Sequence, residues 1–368
     1  MKKSMIKRSF VVFTFLLLLP FIAFSSSIQN STDKDAFIKL EPKLIFTLGD
    51  SDDPNETFYK PEDIAVGKNG NVYVLDSGNS RIQCFSQKGE FLFSFGRLGQ
   101  GPGELSDWAS TLEILDDGYL YLIDNPQYRI SIFTPEGKHV KSYKIKKWFD
   151  DIQLVGKTYY LSSFKFDKDY KTIYITKNLG IINKSFGNIL DPGKNLFEQE
   201  KRLPVPLAGT FGNTKMSSLA VDSEGYLFYS QSNPYKIIKY DQKGDKILEF
   251  NRPVDFNTHV PMTVKYKDGV TTKSLEGPST VIAKIKIINN RLFVPIFSPD
   301  RSENYIDIYD LNGNLIYACR LPIELYGSEK GTVVPSTEID QDLNFYCLFY
   351  TREDPPLVKK YSIAFPLD

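Results

Sequence analysis

The stretch PEDIAVGKNGNVYVLDSGNSRIQCFSQKGEFLFSF, residues 61–95, decides how this 368-residue chain folds. It contains four short runs in which apolar and polar residues alternate, separated by polar turns with glycine, such as Asn69-Gly70 and Lys88-Gly89. Alternation with a period of two is typical of a β-strand, and Asn-Gly is typical of a tight turn between antiparallel strands. The stretch therefore predicts a meander of four antiparallel strands, which we name a to d in chain order.

The same pattern recurs along the chain. Each copy has an alternating run, an aromatic residue or Ile and a polar turn, and the spacing of the first two copies places Phe85 in register with Phe133. The copies occupy residues 81–89, 129–137, 172–180, 236–244 and 305–313, with a degenerate copy that lacks the glycine turn at 357–365. Repeats of this kind indicate stacked sheets, because one four-stranded sheet cannot bury both of its faces. No long segment has the 3.6-residue period and capping residues of a helix, so we expect almost no helix.

Radial packing of six such sheets buries their faces, so the sequence predicts an all-β, six-bladed β-propeller of four-stranded antiparallel blades. The last copy stops after its third strand, near Phe365, whereas residues 42–50 resemble a fourth strand with no preceding partner. We therefore expect this N-terminal strand to complete the last blade and close the ring. The blades are predicted at about residues 60–96, 109–146, 149–188, 217–252, 279–322 and 331–368.

Two long inserts, at residues 189–216 and 253–278, interrupt the repeat. Both lie in d-to-a connections, on the face that also carries the b-to-c loops; we call it the mouth face. Connections of this length are usually functional or disordered, and a seventh blade hidden in one of them is the alternative. The run MTVKY (262–266) in the second insert predicts a small hairpin.

The N-terminus has the layout of a secretory signal peptide, with a basic start, an apolar run at residues 10–24 and small residues before the cleavage point. We predict an extracytoplasmic protein, periplasmic or secreted, with an uncleaved N-terminal membrane anchor as the alternative. No later stretch is long and apolar enough to span a bilayer. The predicted organisation is a signal peptide at 1–25, a linker at 26–41 and a propeller domain at 42–368.

Charge and cysteine content exclude some classes of protein. Basic and acidic residues number 45 each, and loss of residues 1–25, which hold four basic and no acidic side chains, would leave a net charge of −4. Nucleic acid is therefore disfavoured as a partner. Cys84, Cys319 and Cys347 each sit in an apolar, strand-like run, which predicts buried free thiols; export would also permit a disulfide.

Residues 61–105 closely resemble an NHL repeat, and the linker GQGPGE (99–104) is similar to that of exported six-bladed propeller proteins of bacteria. The resemblance is strong in the first blade, moderate in the second and fourth, and limited to the pattern elsewhere. It implies the propeller fold but says little about activity, because propellers host many unrelated functions.

The resemblance also bears on metal binding. Peptide-amidating lyases of this type bind zinc through several histidines, and this chain lacks that set because it has only His139 and His259. Gluconolactonase-like propellers use carboxylate and Asn ligands to a divalent metal. Four residues could imitate such ligands without completing a set: Glu62, Asp63, Asn125 and Asn233.

Polar residues recur at equivalent positions of the b-to-c loops, as in LDSGNSR (75–81) and IDNPQYR (123–129). They predict either a polar ring around the channel mouth or loops in which Asp and Asn bond to the backbone and Arg pairs with Asp. Repetition favours the structural interpretation. The candidate ligand-binding residues are Asp63, Asp76, Asn79, Arg81, Arg97, Asp124, Asn125, Arg129, Asn233 and Tyr235.

Aromatic residues on the inserts and mouth loops could form a binding surface or pack between blades. Trp108 is expected in the core between the first two blades. The acidic run Asp50, Asp52 and Asp53 lacks the spacing of a calcium loop, so we expect no cofactor, with a calcium ion in the channel as the alternative. The aromatic candidates are Phe58, Tyr59, Trp108, Tyr128, Phe197, Phe211 and Tyr235.

These observations favour a non-catalytic module that binds a protein, peptide or carbohydrate through its mouth face. No catalytic residue is assigned, since the chain has no G-x-S-x-G motif and few histidines. The alternative is a hydrolase or lyase that depends on a divalent metal at the mouth of the central channel.

Overall fold

The computed structural model of the chain describes residues 26–30, 37–163, 171–188, 217–231, 235–254, 262–267, 270–275, 281–298, 303–322, 325, 333–350 and 354–366. Several sequence predictions lie outside these ranges. They are the signal peptide at 1–25, the first insert at 189–216, Phe197, Phe211, Asn233 and His259.

The described residues form six blades of antiparallel strands, as predicted. Three strands precede the first blade: β1 (Ser26–Gln29), β2 (Ile38–Lys39) and β3 (Lys43–Leu48). Blade one contains β4 (Asp63–Val66), β5 (Val72–Asp76), β6 (Arg81–Phe85) and β7 (Phe91–Phe95). Blade two contains β8 (Thr111–Ile114), β9 (Leu120–Asp124), β10 (Arg129–Phe133) and β11 (His139–Lys144). Blade three contains β12 (Asp151–Val155), β13 (Thr158–Ser162), β14 (Ile173–Thr176) and β15 (Lys184–Phe186).

The second half of the ring follows the same plan. Blade four contains β16 (Ser217–Val221), β17 (Leu227–Gln231), β18 (Lys236–Tyr240) and β19 (Lys246–Asn251), followed by a hairpin of β20 (Met262–Lys267) and β21 (Val270–Leu275). Blade five begins with two short strands, β22 (Val281–Ile282) and β23 (Lys286–Ile288), that both pair with β24 (Arg291–Phe297), and it continues with β25 (Asn304–Asp310) and β26 (Leu315–Leu321). Blade six contains β27 (Val333–Ile339), β28 (Asn344–Tyr350) and β29 (Leu357–Ser362).

The ring closes as the sequence predicts. Strand β3 pairs antiparallel with β29, from Leu48 opposite Val358 to Lys43 opposite Ser362. The N-terminal strand is thus the fourth strand of blade six. The predicted hairpin at MTVKY is also confirmed, since β20 and β21 pair antiparallel.

Part of the segment treated as a linker is built into the sheets. Strand β1 adds a parallel fifth strand to β19 of blade four, and β2 adds one to β26 of blade five. These strands contain four and two residues, which is too short for a period of two to be recognised in the sequence.

Contacts between blades explain the glycine turn of the repeat, and its aromatic residue meets the same outer-strand ring, since the ring centres of Phe133 and Phe95 are 5.2 Å apart. The c-to-d turn of one blade packs on an aromatic ring of the preceding blade's outer strand: a Cβ on Gly137 would lie 2.5 Å from Phe95, and one on Gly244 would lie 2.7 Å from Phe186. Both glycines have positive φ, +80° and +84°, a conformation that other residues seldom adopt. The repeat therefore encodes the interface between blades as well as the strands.

The three cysteines are free and buried, as expected. They lie on different blades, Cys84 on β6, Cys319 on β26 and Cys347 on β28, and they pack in the hydrophobic clusters there. Burial raises the pKa of the Cys84 thiol to about 11, so this thiol stays protonated and unreactive at neutral pH.

Candidate functional site

The six inner strands surround the central channel with two layers of side chains. The layers are aligned between blades by the last residue pair of each hairpin of first and second strands. This pair is Val66 and Val72 in blade one, Ile114 and Leu120 in blade two, and Ile339 and Phe345 in blade six. The layer nearer the mouth face contains Asp63, Thr111, Asp151, Ser218, Lys284 and Ser336. The second layer contains Ala65, Glu113, Gln153, Ala220, Lys286 and Glu338.

Hydrogen bonds within the first layer join neighbouring blades. Asp63 accepts a bond from the backbone N–H of Leu112 at 2.7 Å and from the Ser336 hydroxyl at 2.6 Å. Asp151 accepts one from the N–H of Leu219 at 2.9 Å in the same way. Through these two bonds the carboxylate of Asp63, which was a candidate ligand-binding group, connects blade six to blade two across blade one. Asp63 is fully buried.

A cluster of buried charges, which we call the channel cluster, joins the two layers: Lys284 of the first layer with Lys286, Glu113 and Glu338 of the second. The Nζ of Lys284 lies 2.6 Å from Oε2 of Glu338 and also pairs with Glu113. Lys286 pairs with the other carboxylate oxygen of Glu338. The side chains of Lys284, Glu113 and Glu338 are nearly inaccessible.

The pKa values of this cluster follow from its charges. Burial by itself would lower the pKa of Lys284, but Glu113 and Glu338 raise it well above its ordinary value. Burial would raise the pKa of Glu338, yet the two lysines lower it to about 2. Both groups are therefore charged at neutral pH, and the cluster is a set of satisfied ion pairs.

The repeated Asp of the b-to-c loops holds the mouth face together. Asp76 accepts hydrogen bonds from the N–H of Tyr59 at 2.7 Å and from the side chains of Asn79 and Arg81, both at 2.8 Å. In blade two, Asp124 accepts bonds from the N–H of Ser106 at 2.9 Å and from its hydroxyl at 2.6 Å. Each buried Asp thus fixes a d-to-a connection to a b-to-c loop, in agreement with the structural interpretation of the repeat.

Other candidates are engaged in comparable contacts. Arg129 lies 3.5 Å from Asp124 and donates to the backbone carbonyls of Gln100 and Gly101. Asn125 is buried and bonds to the carbonyl and N–H of Phe149 at 2.8 and 3.0 Å, which joins blades two and three.

Tyr235 and Arg97 differ most in exposure. Tyr235 is buried, and its hydroxyl donates to Asp307 at 2.8 Å, beside the Arg252–Asp307 ion pair of 2.6 Å between blades four and five. Arg97 pairs with Glu104, and its side chain is 81% exposed. Among the candidate residues that the structure describes, Arg97 and Asn79 are the exposed ones, and their role in ligand binding stays a prediction.

Exposed aromatic rings mark the mouth face. Tyr59 is 54% exposed and Trp108 is 49% exposed, and the Nζ of Lys60 lies 5.2 and 5.5 Å from the centres of these two rings. We call Tyr59, Lys60 and Trp108 the aromatic cluster. Tyr128, 46% exposed, lies in a b-to-c loop of the same face with its ring edge-on to Trp148.

The expectation that Trp108 fills the core between the first two blades is wrong. The smaller side chains of Leu105 and Ala109 are fully buried in that position. The carbonyl of Ala109 also accepts a 2.5 Å hydrogen bond from the Ser77 hydroxyl of blade one. Because the backbone on either side of Trp108 is drawn into the interface, the indole is turned outward.

Metal ligands do not converge in the described ranges, where no group of three or more His, Cys, Asp and Glu side chains could hold an ion. His139 lies on outer strand β11, where its Nε2 is 2.8 Å from the Ser142 hydroxyl and its ring packs edge-on to Phe133. Burial first, and then the charge of Arg129, lower its pKa. His139 is therefore a packing residue of blade two.

The channel cluster and the cavity beside it were not predicted from the sequence. This cavity has a volume of about 210 Å³ and opens between the a-to-b turns, on the face opposite the mouth. A signal was present: a charged residue replaces an apolar one inside the first strand of blades two, five and six, as in TLEIL, KIKII and STEID. Alignment of the first strands, rather than of the third, would have placed these residues in one layer.

Known proteins similar to this chain support the fold. The NHL repeat model matches residues 58–85, in the first blade. The chain is 27% identical to peptidyl-glycine alpha-amidating monooxygenase B of Xenopus laevis over 61% of this chain and 26% of that protein. It is 24% identical to a Caenorhabditis elegans protein described as a peptidyl-alpha-hydroxyglycine alpha-amidating lyase, over 54% of each chain. The alignments thus span about half or less of these curated relatives.

Among solved structures, a Bacteroides fragilis protein described as exported is similar, with a TM-score of 0.54 and 14% identity over 92% of this chain and 99% of that one. This likeness shows the fold alone. In the described part of the chain, no helix is long and apolar enough to cross a membrane.

Proposed function

We propose that this six-bladed β-propeller, with an NHL repeat in its first blade, is an exported, non-catalytic module that binds a protein, peptide or carbohydrate through its mouth face. The observation that carries the proposal is the aromatic cluster, where two large rings lie half exposed beside a lysine. Exposed aromatic rings next to polar groups are typical of binding surfaces, because a partner that covers them gains both stacking and hydrogen bonds.

Buried hydrogen bonds and close contacts hold the backbone beneath the cluster. The buried carboxylate of Asp76 binds the N–H of Tyr59, and Gly78 lies so close that a Cβ there would be 2.4 Å from the Tyr59 carbonyl oxygen. The bond from Ser77 to Ala109 fixes the residue that follows Trp108 to the same loop. A surface held in one conformation loses little entropy when it binds, which favours recognition.

Export is supported by two observations. The basic and apolar segment at 1–25 has the layout of a signal peptide, and a protein with the same fold is described as exported. Mass spectrometry of the mature protein, expressed with its N-terminus intact in a bacterium, tests this point. We expect the chain to begin near residue 26.

Binding can be tested by glycan and peptide arrays probed with labelled protein and with the variant Trp108→Ala. Removal of the indole from the centre of a binding surface should weaken any specific signal by about tenfold or more. Tyr119→Ala is the matched control, since Tyr119 is also exposed but lies in an a-to-b turn of the opposite face. Equal signals for Trp108→Ala and the wild type would contradict the proposal.

The alternative is a metal-dependent lyase or hydrolase, which the names of the two amidating relatives favour. The described residues do not fit a catalytic metal in the channel, because Lys284 and Lys286 already neutralise Glu113 and Glu338. Metal analysis of the purified protein separates the two functions. One tightly held divalent cation per chain would favour the enzyme.

A further inference from the structure

The cavity at the far end of the channel owes its space to two small residues. Ala65 and Ala220 occupy the second layer in blades one and four, whereas the other four blades place longer polar or charged side chains there. The cavity lies at the opposite end of the channel from the aromatic cluster. It is thus a separate site, and its role does not depend on the function proposed for the mouth face.

The lining of this cavity is rich in charge of both signs, with a negative excess. Three lysines and five carboxylates line it, a net charge of −2. Inside, the channel cluster balances its own charges, two positive against two negative. The excess therefore lies near the opening, which is lined by Asp116, Asp340, Asp342 and the single lysine Lys68. Asp340 accepts hydrogen bonds from Asn344 and Tyr346, so Asp116 and Asp342 are the carboxylates left at the opening for a ligand. A concave site of one net sign attracts ligands of the opposite sign.

A metal ion is a poor match for this charge. Divalent ions such as calcium need several oxygen ligands at short distance, and no such group of side chains exists among the described residues. The channel does hold an ammonium group of its own, that of Lys284, between the carboxylates of Glu113 and Glu338. Charge-assisted bonds from N–H donors to carboxylates are thus the chemistry that this end of the channel already uses.

We propose that the cavity binds a small organic cation with a primary ammonium group, such as a diamine or a basic amino acid. Its ammonium group would face Asp116 and Asp342, which are exposed at the opening in two different a-to-b turns. The volume of about 210 Å³ is below that of sites for drug-sized ligands, roughly 300 to 1,000 Å³. A small metabolite therefore fits the space better than a peptide or an oligosaccharide.

Isothermal titration calorimetry of the whole protein with 1,5-diaminopentane, L-lysine and calcium chloride tests the proposal. We expect saturable binding of at least one amine, and the double variant Asp116→Asn/Asp342→Asn should bind it about tenfold more weakly, since two attractive charges are lost. The matched control is Asp52→Asn/Asp107→Asn, which makes the same change in net charge at exposed residues on the mouth face. It should leave the affinity within about twofold of the wild type, because distant exposed charges are screened.

Circular dichroism of each variant verifies that it is folded, and all the substitutions are isosteric changes at exposed positions. Tighter binding of L-lysine than of the diamine would identify an amino acid as the ligand class, and the reverse would identify a diamine. Three results would overturn the proposal: no amine binding up to millimolar concentration, equal affinity of wild type and Asp116→Asn/Asp342→Asn, or calcium bound more tightly than either amine.

Discussion

Lys284 connects three blades across the central channel through buried ion pairs. Its ammonium group lies where carboxylates from blades two and six converge, so one side chain from blade five ties three blades together. Removal of one partner from a buried ion pair strongly destabilises the folded state, because the other charge is left buried with neither a partner nor water to solvate it. The channel cluster therefore joins three blades, and we expect its charges to make the stability of the ring depend on pH.

Glu338 should make the fold sensitive to acid. Its pKa is about 2 in the folded protein, below the ordinary 4.5, so its charged form stabilises the fold above the ordinary value and the benefit is lost as the pH falls toward 2. This shift corresponds to a stabilisation on the order of 3 kcal/mol. Urea unfolding of the wild type at about pH 6 and about pH 3 should show part of that loss, because a carboxyl with a folded-state pKa of about 2 is still mostly ionised at pH 3. Glu338→Gln should be less stable at the higher pH and lose less between the two.

Glu90→Gln is the control for this experiment, because Glu90 is exposed on a c-to-d turn. It should change stability little at either pH. An identical pH dependence for Glu338→Gln and the wild type would show that the channel cluster does not govern acid unfolding.

At the scale of the strands and turns, the glycine of the c-to-d turn should be decisive. Gly137 and Gly118 have nearly the same φ, +80° and +81°, but a Cβ on Gly137 would meet the ring of Phe95 whereas nothing lies within 4 Å of one on Gly118. Gly118→Ala should cost about 1 kcal/mol, the strain of the backbone alone. Gly137→Ala should lower the free energy of unfolding by about 1 to 3 kcal/mol more than Gly118→Ala, because the added methyl group would overpack the interface between blades one and two.

Chemical denaturation of both variants measures this difference. The two substitutions are the same and the backbone strain is matched, so the difference reports the packing between blades. Equal losses of stability would mean that the contact between the glycine turn and the outer-strand ring Phe95 does not contribute to the packing of the two blades.

The sequence predicts the elements well where they repeat and poorly where they do not. Alternation and turns gave the blades and the hairpin at β20 and β21, because period-two patterns depend on burial, which the sequence records residue by residue. Strands β1 and β2 were missed, since edge pairing through backbone groups leaves little trace in side chains. The exposure of Trp108 was not predicted, because it depends on which nearby side chains fill the interface between blades one and two. Leu105 and Ala109 fill that interface, and the indole is left outside it.

At the scale of the whole molecule, the N-terminal segment pairs with blades four, five and six in turn through β1, β2 and β3. Asn30 reinforces this path: its amide donates to the carbonyl of Gly313 at 3.0 Å and its side-chain oxygen accepts from the N–H of Leu315 at 2.9 Å. Phe37 stacks near Arg252, 5.1 Å from ring centre to guanidinium carbon. The first two strands cover blade edges, whereas only the third completes a blade.

Truncation separates those two roles. A chain that starts at residue 42 keeps β3, so we expect a closed ring that unfolds cooperatively but at a lower temperature than a chain that starts at residue 26.

A chain that starts at residue 49 leaves the edge of β29 unpaired and loses Leu48, which is 3% exposed in the core. Burial of such a side chain alone contributes about 1.5 to 3 kcal/mol. An open sheet edge also pairs readily with another chain. Thermal denaturation and size-exclusion chromatography should therefore show a broad transition and association for the chain from residue 49, and a monomer with the same melting temperature as the chain from residue 42 would show that the ring closes without its N-terminal strand.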